Sequence, residues 1–340
     1  MDLDLNPQQQ DLVAAFHAFL LKESPPSVVR AAEPRGFDQT LWSRVIQLGG
    51  PAIGVADGLG GGGAGLVDLV LISEQLGASL APIPLVEGMV AARLLARAGD
   101  SGWKALERLT SPTPAVAAVA LTPVRDGLAR LVPAGSVAEL VIGLDGSDLV
   151  LISGEPPIGR RNLGDCPVAD RSFGADRTLL ASGSSALELH ANALDEWRVL
   201  TAGALAGLGA TALALGVDYA KQRKQFGVPI GSFQSIARDL ADVATAVEGA
   251  TLLAREAAWA ADGCQADSPA LAGMAFLFAS RTAQKASAVA LHVHGGYGFT
   301  LEYDIQLYYR RAKAWSLALG DPRRGLRTLA DVLFEPGGGN

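Results

Sequence analysis

The sequence has 340 residues, of which 49% are hydrophobic and 19% charged, which excludes a disordered chain and allows a sizeable core. The formal charge of −7, without any stripe of lysine and arginine, excludes nucleic acid as a ligand. The two cysteines, Cys166 and Cys264, give neither a metal-binding spacing nor a disulfide framework. Because the N-terminus also lacks the features of a secretory signal, a reducing, cytoplasmic location is predicted.

Residues 1–112 are predicted to form an N-terminal helical domain with short glycine and proline breaks. Asn6 followed by Pro7 is typical of an N-cap and a first helical residue, so a helix is expected from there towards Glu23. Further helices are expected over 38–48, 66–80 and 86–98.

Residues 113–189 change in character and are predicted to form a small, shortened β domain. Proline and glycine recur, and short apolar runs alternate with turns. The expected strands cover 137–144, 149–152 and 178–181. No long helix is expected in this region.

Residues 190–335 return to a strong helical pattern. One series of apolar residues repeats at spacings of three and four, as expected for a bundle seam: Ile236, Leu240, Val243, Val247, Ala250, Ala254, Ala257 and Ala261. Ser268-Pro269 indicates another helix start, with an end near His294, and a fourth helix is expected from about Glu302. The prediction is a C-terminal four-helix bundle in a mainly α fold with a small middle β domain.

The apolar stretch 197–219 belongs to the first of these helices. It contains Arg198, Asp218 and many small residues, so a buried core helix is predicted rather than a membrane span.

The strongest local motif is RKQFGVPI at 223–230, followed by Ser232-Phe233-Gln234. We expect a helix to end at Gly227, with Pro229 preventing its return, so that its last turn presents a guanidinium, an amide and an aromatic ring. Arginine can bind a pyrophosphate through two parallel hydrogen bonds, and the free N–H groups of a helix opening at Gln234 also favour an anion. Taken by itself, the motif is better explained as a helix end with an arginine that complements the helix dipole.

The second motif is HVHGGYGFT at 292–300. Paired glycines, here Gly295 and Gly296, allow a backbone to approach a ligand closely, although a plain loop between helices has the same composition. His292 and His294 are two apart and would lie on different helix faces, so no metal site is predicted.

Taken together, these two motifs and the segment 41–85 resemble the acyl-CoA dehydrogenase family. The resemblance implies the three-domain fold above, FAD as cofactor, α,β-dehydrogenation of an acyl-CoA and electron-transfer flavoprotein as acceptor. It also implies seven residues that contact the FAD: Arg223, Gln225, Phe226, Gln234, His292, Gly295 and Gly296.

The sequence departs from the family where the catalytic base is expected. Counting from the family's Arg-Asp-Ala-Lys helix, here 310–313, places Leu319 at the glutamate position, and leucine cannot accept a proton. In members with an earlier base, that position aligns with Trp197. Its neighbour Glu196 is predicted to be a solvated or N-terminal helix charge. No catalytic residue is therefore assigned.

The middle domain also lacks the family's flavin-ring contacts, since Leu121-Thr122-Pro123 lacks the following glutamate and no tryptophan lies between Trp103 and Trp197. Because the residues that reach a neighbour's FAD are kept, the chain resembles the smaller, non-catalytic subunit of bacterial α2β2 enzymes. Several of these act on bulky CoA thioesters such as steroid side chains. The expected partner is a homologous subunit that carries the base. Two alternatives stay open: a self-sufficient enzyme with Glu196 or Asp321 as displaced base, and a flavin-free scaffold.

Overall fold

The computed structural model describes residues 4–33, 35–111 and 115–334. Its first part is helical, as predicted. The helices are α1 (Pro7–Glu23), α2 (Pro26–Ala32), α3 (Gln39–Ile46), α4 (Leu66–Ser79), α5 (Leu85–Arg97) and α6 (Asp100–Thr110). Helix α1 starts with the predicted cap: Asn6 Oδ1 accepts a hydrogen bond from the Gln9 N–H, and Gln9 Oε1 accepts one from the Asn6 N–H. The helix expected over 38–48 is shorter at both ends, since Asp38 is the N-cap of α3 and Gln47 is its C-cap.

Three of the strands in the next region overlap the predicted runs 137–144, 149–152 and 178–181, and the other three were not predicted individually. They are β1 (Ala117–Val119), β2 (Leu128–Val132), β3 (Leu140–Asp145), β4 (Asp148–Ser153), β5 (Ala169–Ser172) and β6 (Thr178–Ser182). Four form a sheet in the order β1-β3-β4-β6, and β2 pairs with β5. The β1–β3 pair is parallel and the β3–β4 and β4–β6 pairs are antiparallel.

Long helices follow the strands. They are α7 (Gly183–Gln222), α8 (Gln234–Asp262), α9 (Ser268–His294), α10 (Ile305–Ser316) and α11 (Pro322–Phe334). Helix α7 begins before the predicted boundary at residue 190, and α11 was not expected as a separate helix. The predicted fold class, mainly helical with a small middle β region, is confirmed.

Helix α7 is long and apolar enough, by length and composition, to cross a membrane. However, 72% of its most apolar window is buried inside the protein. A buried window of this kind is what a core helix shows, in agreement with the prediction for 197–219.

The chain divides into two compact units. The first unit comprises 1–27, 70–81 and 198–340, and the second comprises 28–69 and 82–197. In the first unit, α8 packs along α9, and α10 and α11 pack on α9. Small residues let α4 approach α7 closely there, since a Cβ on Gly207 would lie 1.9 Å from the Glu74 carbonyl oxygen.

Candidate functional site

The helix α7 ends earlier than the RKQFG motif predicted. It stops at Gln222, and Lys224–Gln225 (β7) pairs with Val228–Pro229 (β8) in a two-residue hairpin. The prediction that the helix continues to Gly227 is therefore wrong. Arg223 does lie at the helix end, where its N–H donates to the Tyr219 carbonyl at 2.9 Å.

The hairpin turn consists of Phe226 and Gly227, which have φ values of +52° and +83°. Positive φ at both central residues is the turn geometry that matches the twist of two antiparallel strands. An aromatic residue rarely adopts it, because its Cβ crowds the backbone. The turn holds the Phe226 ring 94% exposed, with an edge-on contact to Phe233 at 6.2 Å between ring centroids.

Helix α8 begins at Gln234, as predicted. Phe233 occupies the N-cap position, and no side chain among the described residues forms a capping hydrogen bond there. Its first turn also contains no acidic residue. Backbone N–H groups at this end are thus open to an anion, which the helix dipole also favours.

The second motif forms the end of α9 and the turn after it. His292 is exposed and His294 is buried, so the two rings lie on different faces of the helix as predicted. Gly295 has φ 62° and ψ −141°, a conformation essentially restricted to glycine. A Cβ added to Gly295 or Gly296 would meet no atom of residues 4–33, 35–111 or 115–334 within 4 Å, so this backbone is open to a ligand.

The structure brings the two motifs to one end of the first unit. The Tyr219 ring, one helical turn before Arg223, stacks on the His294 ring with 4.2 Å between centroids. Beneath them, Ala220, Ile230, Leu240 and Val293 form one buried apolar cluster. The end of α7, the hairpin, the start of α8 and the end of α9 therefore share a core.

All seven residues predicted to contact FAD are exposed: Arg223, Gln225, Phe226, Gln234, His292, Gly295 and Gly296. Across the part of the chain that the structure describes, the four polar side chains among them form no hydrogen bond or ion pair. Their donors and acceptors are available to a ligand outside this chain.

Glu196 is neither solvated nor at a helix terminus, which corrects the prediction. It lies well inside α7 and is only 6% exposed. Its Oε1 accepts hydrogen bonds from Arg93 Nε at 3.0 Å and from Arg97 Nη2 at 2.6 Å. Arg93 also donates to the Gly54 carbonyl, so the cluster joins α5, α7 and the turn that contains Gly54.

A second acidic side chain of this region, Glu87 in α5, was not singled out from the sequence. Burial raises the pKa of its carboxyl, while hydrogen bonds from its own backbone and from Trp197 oppose that shift. It lies at the start of an almost wholly buried helix, and no motif marks it.

The region of the expected base lies between α10 and α11. Leu319 is half-buried in the turn that follows Ser316. Asp321, one of the two alternative bases, is exposed, and its Oδ1 accepts a hydrogen bond from the Arg323 N–H at 3.0 Å. That contact makes Asp321 the cap of α11.

Two family models match the chain, one described as the acyl-CoA dehydrogenase N-terminal domain over residues 6–109 and the other as the acyl-CoA dehydrogenase C-terminal domain over 187–333. The chain belongs to the acyl-CoA dehydrogenase family. It is 31% identical over 336 residues to the acyl-CoA dehydrogenase IpdE2 of Mycobacterium tuberculosis, covering 97% of this chain and 98% of the relative.

Solved acyl-CoA dehydrogenase structures share the fold. The "Tcur3481-Tcur3483 steroid ACAD G363A variant" superposes with a TM-score of 0.86 at 25% identity, covering 96% of this chain and 98% of its own. The ChsE4-ChsE5 complex of Mycobacterium tuberculosis gives a TM-score of 0.87 at 24% identity, covering 99% and 100%. The predicted family and fold are thus confirmed, and the predicted enzyme class, flavin-dependent oxidoreductase, and cofactor, FAD, are those of the family.

The residues at the end of the first unit fit an FAD pyrophosphate. An exposed guanidinium, an uncapped helix N-terminus and an open glycine pair supply positive charge, N–H donors and room for close backbone contact. All of them are exposed on the surface of this chain.

Proposed function

We propose that this chain is the non-catalytic subunit of a heteromeric, FAD-dependent acyl-CoA dehydrogenase, and that it clamps the FAD of a homologous partner subunit. The observation that carries this proposal is that the seven residues predicted to contact FAD are all exposed at one end of the first unit, and that one of them, Phe226, lies in a strained turn. Strain of this kind persists where it serves a ligand or a partner.

Each part of the clamp has a defined role. Arg223 would bind the pyrophosphate through parallel N–H donors, and the first turn of α8 would add backbone N–H groups. The Phe226 ring would cover an apolar or aromatic part of the cofactor or the partner. His292 and the Gly295-Gly296 backbone would close the opposite side. FAD, when bound, supplies the hydride acceptor for the dehydrogenation.

The base would come from the partner, because neither alternative carboxylate, Glu196 or Asp321, is placed to serve. Leu319 stands at the position that the family resemblance assigns to the glutamate. Glu196 is bound by Arg93 and Arg97, and Asp321 caps α11, so both alternatives have structural roles. A proton acceptor must reach the substrate within hydrogen-bond distance, and neither carboxylate is free to do so.

The names of two solved relatives suggest the substrate class. One solved neighbour is named a steroid acyl-CoA dehydrogenase, and a second is a two-component complex. We infer a bulky acyl-CoA thioester as substrate, electron-transfer flavoprotein as acceptor and the cytoplasm as location. The expected assembly is a heterotetramer.

The decisive experiment is FAD titration of the stripped complex containing Arg223→Ala, compared with wild type. Each charge-assisted hydrogen bond contributes about 1.5–3 kcal/mol, so FAD should bind about ten- to a hundred-fold more weakly. Arg327→Ala is the matched control, since Arg327 is exposed on α11 in the same unit. Excess FAD should restore activity.

Three outcomes would contradict the proposal. Equal FAD affinities for the wild-type and Arg223→Ala complexes would show that Arg223 only caps α7. A lone chain that purifies yellow and active would favour the self-sufficient enzyme, and a colourless chain that forms no complex with a homologue would favour the scaffold.

A further inference from the structure

Four rings meet at the end of the first unit. The His294 ring stacks on Tyr219 with 4.2 Å between centroids and 26° between planes. Tyr303 meets Tyr219 edge-on at 6.1 Å and His294 at 5.7 Å, and Tyr297 lies 5.7 Å from Tyr303. Only His294 is fully buried among them, at 7% exposure.

The orientation of the His294 ring is fixed twice. Its Nδ1 lies 2.8 Å from the Ala290 carbonyl oxygen. A carbonyl oxygen only accepts, so Nδ1 carries a hydrogen in either protonation state of the ring. This hydrogen bond fixes the ring about its side-chain torsions, while the stack on Tyr219 fixes the plane in which it lies. An aliphatic residue would fill the same space without either constraint.

The two stacked residues, Tyr219 and His294, each connect to one of the two exposed segments. The Tyr219 carbonyl oxygen accepts the Arg223 N–H, and the Arg223 carbonyl oxygen accepts the Ile230 N–H at 2.8 Å, which closes the hairpin. His294 directly precedes Gly295, whose backbone takes the glycine-only conformation. One pair of rings therefore joins the arginine to the glycine turn.

We propose that His294 is a positioning residue that holds the Gly295-Gly296 turn in register with Arg223 through its stack on Tyr219. The inference rests on the proposed function, because it concerns how the two halves of the FAD clamp keep their spacing. His294 itself is buried, and its Nδ1 is occupied by the Ala290 carbonyl oxygen, so the role proposed for it in FAD binding is indirect. Its effect on FAD binding should consequently depend on the presence of Arg223.

The test is a double-mutant cycle measured as FAD affinity of the reconstituted complex. His294→Leu and Tyr219→Leu each remove the stack, and each should weaken FAD binding about five- to tenfold, a usual size for coupling between contacting residues. With Arg223→Ala already present, the same changes should add less than about twofold. The control variant Tyr219→Phe keeps the stacked ring and should bind FAD with wild-type affinity. Size-exclusion chromatography verifies that each complex is assembled.

The outcomes separate the two proposals. If Arg223→Ala leaves FAD affinity unchanged, the proposed function fails whatever His294 does. If Arg223→Ala weakens binding but both leucine variants bind normally, only the positioning role fails. Equal fold-losses with and without Arg223 would show that His294 supports the fold in general rather than the spacing of the clamp. Because two variants remove the same stack, failure of one to assemble leaves the other to decide.

Discussion

Replacing Glu196 by glutamine distinguishes a structural carboxylate from a catalytic base. Oε1 accepts from Arg93 and Arg97, and the pair of guanidinium groups lies against a side chain that is only 6% exposed. Its Oε2 is buried without a hydrogen-bond partner among the described residues. In Glu196→Gln, the amide oxygen can still accept, but the charge is lost and the NH₂ group takes the unpartnered position.

The magnitude follows from these contacts. Breaking a buried ion pair costs about 3–5 kcal/mol, and an unpartnered buried donor costs about 1–3 kcal/mol. The Arg97 side chain is 40% exposed, so water compensates part of its loss. We therefore expect Glu196→Gln to lower the free energy of unfolding by about 2–4 kcal/mol.

Urea unfolding followed by tryptophan fluorescence is a suitable assay, because Trp197 adjoins the cluster in sequence. The control is Arg97→Gln, which removes the more exposed arginine and should cost only about 0.5–1 kcal/mol. A Glu196→Gln complex of wild-type stability whose turnover falls by about 10²–10⁴-fold would instead identify Glu196 as the base, since removal of a general base has that effect.

Three further predictions use other features of the structure. Gly207→Ala should cost about 1–3 kcal/mol of unfolding free energy, because its Cβ would lie 1.9 Å from the Glu74 carbonyl oxygen. The control is Gly58→Ala, whose Cβ would meet no described atom within 4 Å and which should be neutral or slightly stabilising. Thermal denaturation of the two variants and the wild type measures the difference. Phe226→Asn should raise the stability of the lone chain by about 0.5–1 kcal/mol, since asparagine tolerates the positive φ, and no gain in Tm would show that the turn is unstrained. In the complex, the same substitution should weaken FAD retention. Burial lowers the pKa of His190, whose Nε2 contacts the Ala120 carbonyl, so the folded state binds fewer protons there than the unfolded state. Stability should accordingly fall as the pH drops below about 6.5, by at most about 1.4 kcal/mol per pH unit, and His190→Gln should flatten that part of a Tm-against-pH curve.

The sequence was sufficient to predict the structural elements that depend on residues close together along the chain. The Asn6-Pro7 start of α1, the apolar runs of β3, β4 and β6, and the seam of α8 all lie where the pattern predicted them. Local hydrogen bonds and apolar periodicity determine such elements, and both can be read from a few consecutive residues. The motifs at 223–234 and 292–300 likewise identified the family without any knowledge of how they meet.

The hairpin at 224–229 shows where local reasoning failed. Phenylalanine disfavours a positive φ, so a helix that runs on to Gly227 was the better local prediction. Pairing of Gln225 with Val228, and packing of Ile230 into the apolar cluster, outweigh that preference in the folded chain. The energy that decides this turn comes from contacts that form only after α7, α8 and α9 have packed.

Only the tertiary structure decided the surroundings of Glu196 and His294. The partners of Glu196, Arg93 and Arg97, stand about a hundred residues earlier, and no spacing rule connects α5 with the middle of α7. His294 meets Tyr219 across two helices in the same way. Burial of a charge and stacking of a ring depend on distances in space, which a sequence constrains only through the packing of the whole chain.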